Sequence, residues 1–558
     1  MLWEILTTSL AICGGTLAFC YYQFSIVPRR NPLWKVCALP RPSLFHSNMK
    51  LILDPSFSCK AHEAIAEQYG RSVRVQGVGP WDQRLLTFDP VALHHVTKNS
   101  NIYEKPWTTQ RFITSFIGCG LLSAAGSVHK RQRRVATPAF SIQNLRAFAP
   151  IVFERGFRLR DRWRDIITKN SGDKAVLDVC MWASRITFDV IGAAGFDYDF
   201  NSIKNDTNEL FCAYREMFEL SISQNQNVMR QLLSIYFPIV NVLFPDLAAR
   251  TVKRCHKVIW RVAGTLVQEK KKKVLDALQG GKPCEDKDLL ALMLKSNLST
   301  EIPPDQRLSD EDILNNVNTV MFAGSDTSSL GLTWTLYLLA KNPEVQDQLR
   351  EELSTVHCPE SFGDLSVDEI DSLYGNVSEL PFFDKVIKEA LRLVPPVHSS
   401  IRVADQDDVI PTSQPYKIQK PGGGAVTVTS PIRVGKGTVV HIPIEAFNLD
   451  KSVWGPDAWE FKPDRWDNLP DVVKTQPGLY SNLMTFSAGP RSCIGMRFSI
   501  IEIKIVIYML VINFSFHDTG ADIIKSNVVF TRPYIKNKYQ EGSQLPLRVV
   551  RLDKSPIH

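Results

Sequence analysis

The 558-residue chain has no Ser/Gly linker, no low-complexity tract and no internal repeat. These absences argue against tethered modules or a solenoid, so one large folded unit is expected although the length exceeds the usual single-domain size. No Cys-x-x-Cys pair occurs, and the eleven cysteines are scattered and odd in number. That disfavours a disulfide framework or a cysteine zinc site and points to a reducing compartment. A strong charge imbalance is also missing, since 65 Lys and Arg against 58 Asp and Glu leave a formal +7. So modest an excess indicates neither a nucleic-acid partner nor a disordered tail.

Charge is absent altogether from Ile5 to Val27, a stretch long enough to cross a bilayer as a helix. Trp3 stands at one end and Tyr21, Tyr22 and Trp34 at the other, as interfacial aromatics do. Arg29, Arg30 and Lys35 follow, placing the bulk of the protein on the cytoplasmic side. A cleaved signal peptide would want basic residues before the apolar run, but Glu4 stands there. The expected organisation is a transmembrane anchor over 1–27, a proline-rich basic hinge over 28–50 and a catalytic domain over 51–558.

From about residue 60 to 380 the apolar pattern is mostly helical. Short β-type runs stand at Ser72–Gln76, Ala425–Thr429, Thr438–Ile442 and Leu545–Val550. The expected class is therefore mainly α with small β-sheets, not alternating βαβ units. The basic run Lys270–Lys273 lies within an amphipathic helix; such a run is more often a solvated face than a partner site, and it is left unassigned.

Near the C-terminus the chain reads Phe486-Ser-Ala-Gly489-Pro-Arg491-Ser-Cys493-Ile-Gly495. One cysteine is framed by glycines, which tolerate tight turns and close approaches, with an arginine two residues before it. Upstream, Lys388-Glu389-Ala-Leu-Arg392 places an acid and a base on one helix face, and Phe461-Lys-Pro463-Asp-Arg465-Trp466 adds a second arginine. Between Asp312 and Leu339 runs a long apolar helical stretch interrupted by Ala323-Gly324-Ser325-Asp326-Thr327. Glycine, an acid and a β-branched hydroxyl are poor helix formers, and such lapses tend to occur where function intrudes.

Together these segments resemble the cytochrome P450 family, whose haem-binding loop F-x-x-G-x-R-x-C-x-G is matched at every specified position. The stretch around Asp326 resembles the family's A-G-x-D-T motif, and Glu389, Arg392 and Arg465 resemble its structural Glu-Arg-Arg network. The resemblance implies the cytochrome P450 fold after one N-terminal transmembrane helix, with heme b (iron protoporphyrin IX) as cofactor. It implies Cys493 as axial thiolate ligand, Phe486 packed near the sulfur, and Arg491 as a propionate partner. His129 and Arg133 resemble the W-x-x-x-R motif with histidine in place of tryptophan, and Arg402 occupies a further propionate position. Asp326 and Thr327 would handle protons, while Ala323 and Gly324 leave room for oxygen and substrate.

By the same resemblance, Phe112, Phe116, Phe322, Ala323, Val397, His398 and Phe530 would line an apolar substrate pocket. The basic residues Lys130, Arg131 and Arg134 suit docking of an acidic flavoprotein. About sixty residues follow the cysteine loop, without a flavin- or nicotinamide-binding segment, so a separate NADPH–cytochrome P450 reductase is expected. The insert Val409–Ile432, with Gly422-Gly-Gly424, is similar to fungal members active on terpenoids and other secondary metabolites. The expectation is an endoplasmic-reticulum-anchored monooxygenase that contacts membrane lipids and uses O2 to hydroxylate or epoxidise a lipophilic substrate. A haem-dependent isomerase or dehydratase, or a fatty-acid or xenobiotic hydroxylase, would use the same scaffold.

Overall fold

A computed structural model describes residues 14–552, apart from 41–46, 55–56, 78, 80, 171, 206–207, 223–227, 238, 281–285, 300, 421 and 528–529. The chain is mostly helical with small sheets, as its periodicity implies. It divides into two compact units, each assembled from separated stretches of sequence.

The first unit comprises residues 1–106, 398–458 and 470–492. Its sheet has five strands in the order Ser72–Gln76, Gln83–Thr87, Val439–Ile442, Ser400–Ala404 and Tyr103–Glu104. Only the Gln83–Thr87 and Val439–Ile442 pair is parallel. Leu39, Ile52, Ile65, Val73, Val75 and Leu86 form a buried cluster in this unit. Residues 1–13 of the expected anchor lie outside the described residues; from Gly14 to Arg29 the chain is helical and exposes Leu17, Phe19 and Tyr21. The following segment is fastened down: Leu33 and Val36 are buried, and the Arg74 guanidinium sits 4.0 Å over the Trp34 ring. The insert folds as a hairpin of Tyr416–Gln419 and Ala425–Val428, with Gly422, Gly423 and Gly424 all at positive φ.

The second unit comprises residues 107–397, 459–469 and 493–558. A central helix, Asp310–Lys341, runs through it. Ser309 and Asp312 close a reciprocal cap, three acids occupy its first turn, and Lys341 stands in its last turn. Helix Val179–Phe196 packs against it so closely that a Cβ on Gly324 would lie 2.9 Å from Ile191 Cδ1. Helix Met496–Val511 approaches equally closely, where a Cβ on Gly331 would lie 2.8 Å from Ile503 Cδ1. Among the described residues, Val179–Phe196 is the one helix long and apolar enough to cross a membrane, and most of it is buried as a core element. Strands Phe514–Asp518, Pro546–Arg551 and Lys174–Asp178 make a small antiparallel sheet.

The basic run departs from a solvated face at its first residue. Lys270 is buried and contacts Asp197, Asp286 and Asp288 at 3.3, 3.1 and 2.9 Å. These three carboxylates outweigh burial and raise its pKa, so the ammonium acts as a structural bolt.

Candidate active site

In the middle of the central helix a single stripe is left partly open. Val320, Ala323, Gly324 and Thr327 are half-buried, while Ser325, Asp326, Ser328 and Ser329 beside them are buried. The spacing i, i+3, i+4, i+7 is one helix face, so the apolar stripe and the Thr327 hydroxyl border common free space. Thr327 Oγ1 donates to Ala323 O at 2.6 Å, the back-bond expected of a mid-helix threonine. Gly324 has a different role from the one its motif implies. Its missing Cβ admits Ile191, so the glycine serves helix packing.

Asp326 is ion-paired, a contact invisible in the motif. Arg532 Nη2 donates to its two carboxylate oxygens at 2.5 and 2.6 Å, and both side chains are buried. Arg532 lies on strand Thr531–Ile535, two residues after Phe530, whose ring packs 5.6 Å from that of Phe322. Phe112 and Phe116 stack on each other at 4.9 Å, one helical turn apart and half-buried. Val397 is half-buried at the end of this unit.

Cys493 opens the last segment of the second unit; the residue is exposed, although protein encloses its thiol. Burial pushes its pKa up, opposed by the Gly495 backbone N–H and by the Arg133 guanidinium. A Cβ on Gly495 would meet nothing within 4 Å, and its φ of −87° is ordinary. This glycine borders open space; it is not needed for a special backbone angle. On helix Gly126–Ala136, His129 is buried, and burial lowers the pKa of Arg133, with Cys493 opposing. Of the neighbouring cations, Arg131 is paired with Asp312 at 3.1 Å, whereas Lys130 and Arg134 are exposed.

Glu389, Arg392 and Arg465 converge, the first two as their spacing implies and the third as the resemblance implies. Glu389 and Arg392 are completely buried on helix Pro381–Leu393, and Glu389 accepts from Arg392 at 2.8 Å and from Arg465 Nε at 2.7 Å. Two further bonds complete it, from Trp466 Nε1 at 3.1 Å and from the Lys462 N–H at 3.2 Å.

In the first unit, Gly489 has φ +70° and its Cβ position lies 2.3 Å from Thr97 O, so both conformation and close approach require glycine. Phe486 stacks edge-on against Tyr480 at 5.6 Å. Arg491 pairs with Glu104. Arg402 is buried, donating to Ser400 Oγ and Ile401 O, each at 2.8 Å. Burial and the neighbouring Arg491 push its pKa down to about 10. Lys105, which no motif singled out, joins this group. Burial, Arg402 and Arg491 depress its ammonium to about 7. Three cations thus stand around one carboxylate, Glu104, and call for an anion.

His398 is buried with a bond between its Nε2 and Ser399 Oγ at 3.0 Å, and its electrostatic neighbours are Glu445 and His62. It therefore belongs to a histidine group within the first unit that also includes His441, on the sheet face opposite to Arg402.

The profile of the family described as Cytochrome P450 matches residues 40–539. The chain belongs to the cytochrome P450 family. It is 37% identical over 534 residues to cytochrome P450 monooxygenase 205 of Postia placenta, covering 93% of each protein. Monooxygenase 128 of the same fungus is 36% identical, with 96% of each protein covered. Ganoderic acid synthetase of Ganoderma lucidum is 32% identical over 81% of this chain and 82% of that protein. This cytochrome P450 is accordingly an oxidoreductase of the monooxygenase type, and haem b is its family's cofactor. Its residues fit that group. In the second unit Cys493 offers an exposed thiol with the Arg133 guanidinium facing it, and in the first unit, taken by itself, the cation-rich cluster of Lys105, Arg402 and Arg491 suits carboxylates.

Proposed function

We propose that this protein is a membrane-bound haem-thiolate monooxygenase that hydroxylates or epoxidises a lipophilic secondary metabolite, with O2 as oxidant and an NADPH–cytochrome P450 reductase as electron donor. Haem b supplies oxygen activation, favoured by electron donation from a thiolate ligand. Cys493 would hold the group through its sulfur, with His129 and Arg133 of the same unit available to a carboxylate; in the first unit the cations Arg402, Arg491 and Lys105 form a cluster of their own that would suit carboxylates. Thr327 presents a hydroxyl to the free space along the central helix, and Asp326 behind it relays a proton inward. The apolar stripe of Val320 and Ala323, with Phe322 and Phe530, positions an apolar substrate and keeps water out.

The observation that carries the reading is Cys493, an exposed residue whose thiol is enclosed by protein and faced by the Gly495 N–H and the Arg133 guanidinium. Membrane attachment is supported by the exposed apolar side chains of the Gly14–Arg29 helix and by a second exposed set, Tyr236, Phe237, Ile239, Leu243, Phe244 and Leu247. Arg29, Arg30 and Lys35 then put the body on the cytoplasmic face of the endoplasmic reticulum. Lys130 and Arg134 remain for an acidic reductase. A secondary-metabolite substrate, a terpenoid among the candidates, is supported by the kinship with the ganoderic acid synthetase.

The test is co-expression with a reductase, followed by extraction of lipophilic metabolites and assay of microsomes. A new oxygenated product that requires both NADPH and O2 is expected. Product formation without either co-substrate would place the enzyme among haem-dependent isomerases or dehydratases instead.

A further inference from the structure

Asp326 is buried, and both its oxygens are engaged by one nitrogen of Arg532. A carboxylate held in this way can exchange a proton with water only after one of those bonds opens. We infer that Arg532 is a positioning residue that gates Asp326, and that the Phe322–Phe530 ring pair is the contact through which a bound substrate opens it. This rests on the monooxygenase reading above and adds a control to it.

The geometry is a register match between strand and helix. Phe530 stands at the bend just before the strand and Arg532 is the second strand residue, and both side chains reach the central helix. Phe322 and Asp326 are four residues apart on the central helix, about 6 Å along its axis and on one side. Ring therefore meets ring, and guanidinium meets carboxylate. Thr531 between them is fastened elsewhere. Its N–H donates to Pro396 O at 2.9 Å, its Oγ1 to Pro395 O at 2.9 Å, and its carbonyl accepts from Trp334 Nε1 at 2.8 Å. The strand is thus pinned at its first residue, between Phe530 and Arg532, and a push on Phe530 is passed across the pin to Arg532.

The pair is also built to release. Nη2 alone spans both oxygens, and the buried Arg532 Nε has no hydrogen-bond partner. A guanidinium that used its full fork would be held more tightly. A substrate lying against Phe322 displaces the Phe530 ring, Arg532 surrenders one oxygen, and the freed oxygen takes a water beside Thr327. Without substrate the acid stays closed, which suppresses the unproductive reaction of NADPH, a proton and O2 to NADP+ and hydrogen peroxide.

The test compares holoenzyme and reductase, given NADPH but no organic substrate, for wild type, Arg532→Gln, Arg532→Lys, Asp326→Asn and the combined Arg532→Gln/Asp326→Asn variant. The carbon monoxide spectrum of each reduced protein reports that its haem thiolate is intact. Arg532→Gln is expected to release peroxide about fivefold faster than wild type, Arg532→Lys less so, and Asp326→Asn should cancel the gain. Hydrogen exchange of the Phe530–Ile535 amides, measured without NADPH, should quicken in Arg532→Gln and in Phe530→Ala alike. An unchanged peroxide rate in an intact Arg532→Gln protein, a gain that survives Asp326→Asn, or exchange of the Phe530–Ile535 amides indifferent to both Arg532→Gln and Phe530→Ala overturns the gate. Failure of both Arg532 variants to hold haem also overturns it, because the pair is then a structural bolt. A wild type without the thiolate spectrum or reductase-dependent oxygen uptake overturns the monooxygenase reading itself.

Discussion

The fully buried Glu389 carboxylate accepts from two arginines, an indole and a backbone N–H. Replacing it with glutamine leaves two guanidinium groups short of a counter-charge, and the expected loss is about 3–5 kcal/mol. Chemical denaturation measures it, and a loss below about 1 kcal/mol would contradict the buried network. Thr327→Ala addresses the chemistry instead. Product formation should fall about a hundredfold while NADPH is still consumed and peroxide accumulates. Equal losses of product and NADPH oxidation would show that the hydroxyl has no part in proton handling. At this scale the sequence disclosed the residues whose partners lie within a motif, such as Glu389 and Arg392 three apart. Trp466, where the family pattern carries phenylalanine, contributes an indole bond that only the structure reveals. Arg532 was illegible because it meets Asp326 across 206 residues with no periodic or compositional mark. Lys105 escaped notice for the same reason: its cation cluster forms only when three distant stretches meet.

The cysteine loop and the central helix are the elements on which the site depends. In the loop, Gly489 combines a left-handed backbone with a carbonyl 2.3 Å from the place a Cβ would occupy. Gly489→Ala should therefore cost at least about 1–2 kcal/mol from backbone conformation alone, before the collision with Thr97 is counted. A lowered melting temperature with diminished haem content is the expected outcome, and an unchanged one would show that the loop relaxes freely. The central helix was legible in outline because its cap, apolar period and terminal Pro343 all agree. Strands Ser72–Gln76 and Ala425–Val428 were likewise readable from β-branched runs bounded by turn residues. Gly324 was misread at this level, since a glycine that admits a neighbouring helix and one that admits a ligand look identical in sequence.

Across the whole molecule, buried titratable groups set how stability responds to pH. His62 and His398 are pushed down to about 4 by burial, and His441 is lowered likewise with neither ring nitrogen hydrogen-bonded. The unfolded chain takes up protons at these imidazoles below about 6.5, whereas the folded chain does not until about 4. Stability should therefore fall as pH drops through that window, by about 3 kcal/mol for each of His62 and His398. Melting temperature against pH checks this, and His62→Gln should flatten the slope. Glu502 works in the opposite sense. It is fully buried, and burial, opposed only by a hydrogen bond from Ser328, raises its pKa well above the usual carboxylate range. The folded state keeps this proton at pH values where the unfolded chain releases it, so the stability it lends is present in acid and lost as pH rises. Glu502→Gln should stabilise the protein at neutral pH, with a benefit that grows toward alkaline pH.

All of these roles depend on sulfur ligation by Cys493, and the carbon monoxide difference spectrum of the reduced, purified protein tests that most directly. A strongly red-shifted Soret band, lost in Cys493→Ser while the fold persists, is the predicted result. A folded, haem-loaded protein whose band stays at the position typical of histidine ligation would contradict it.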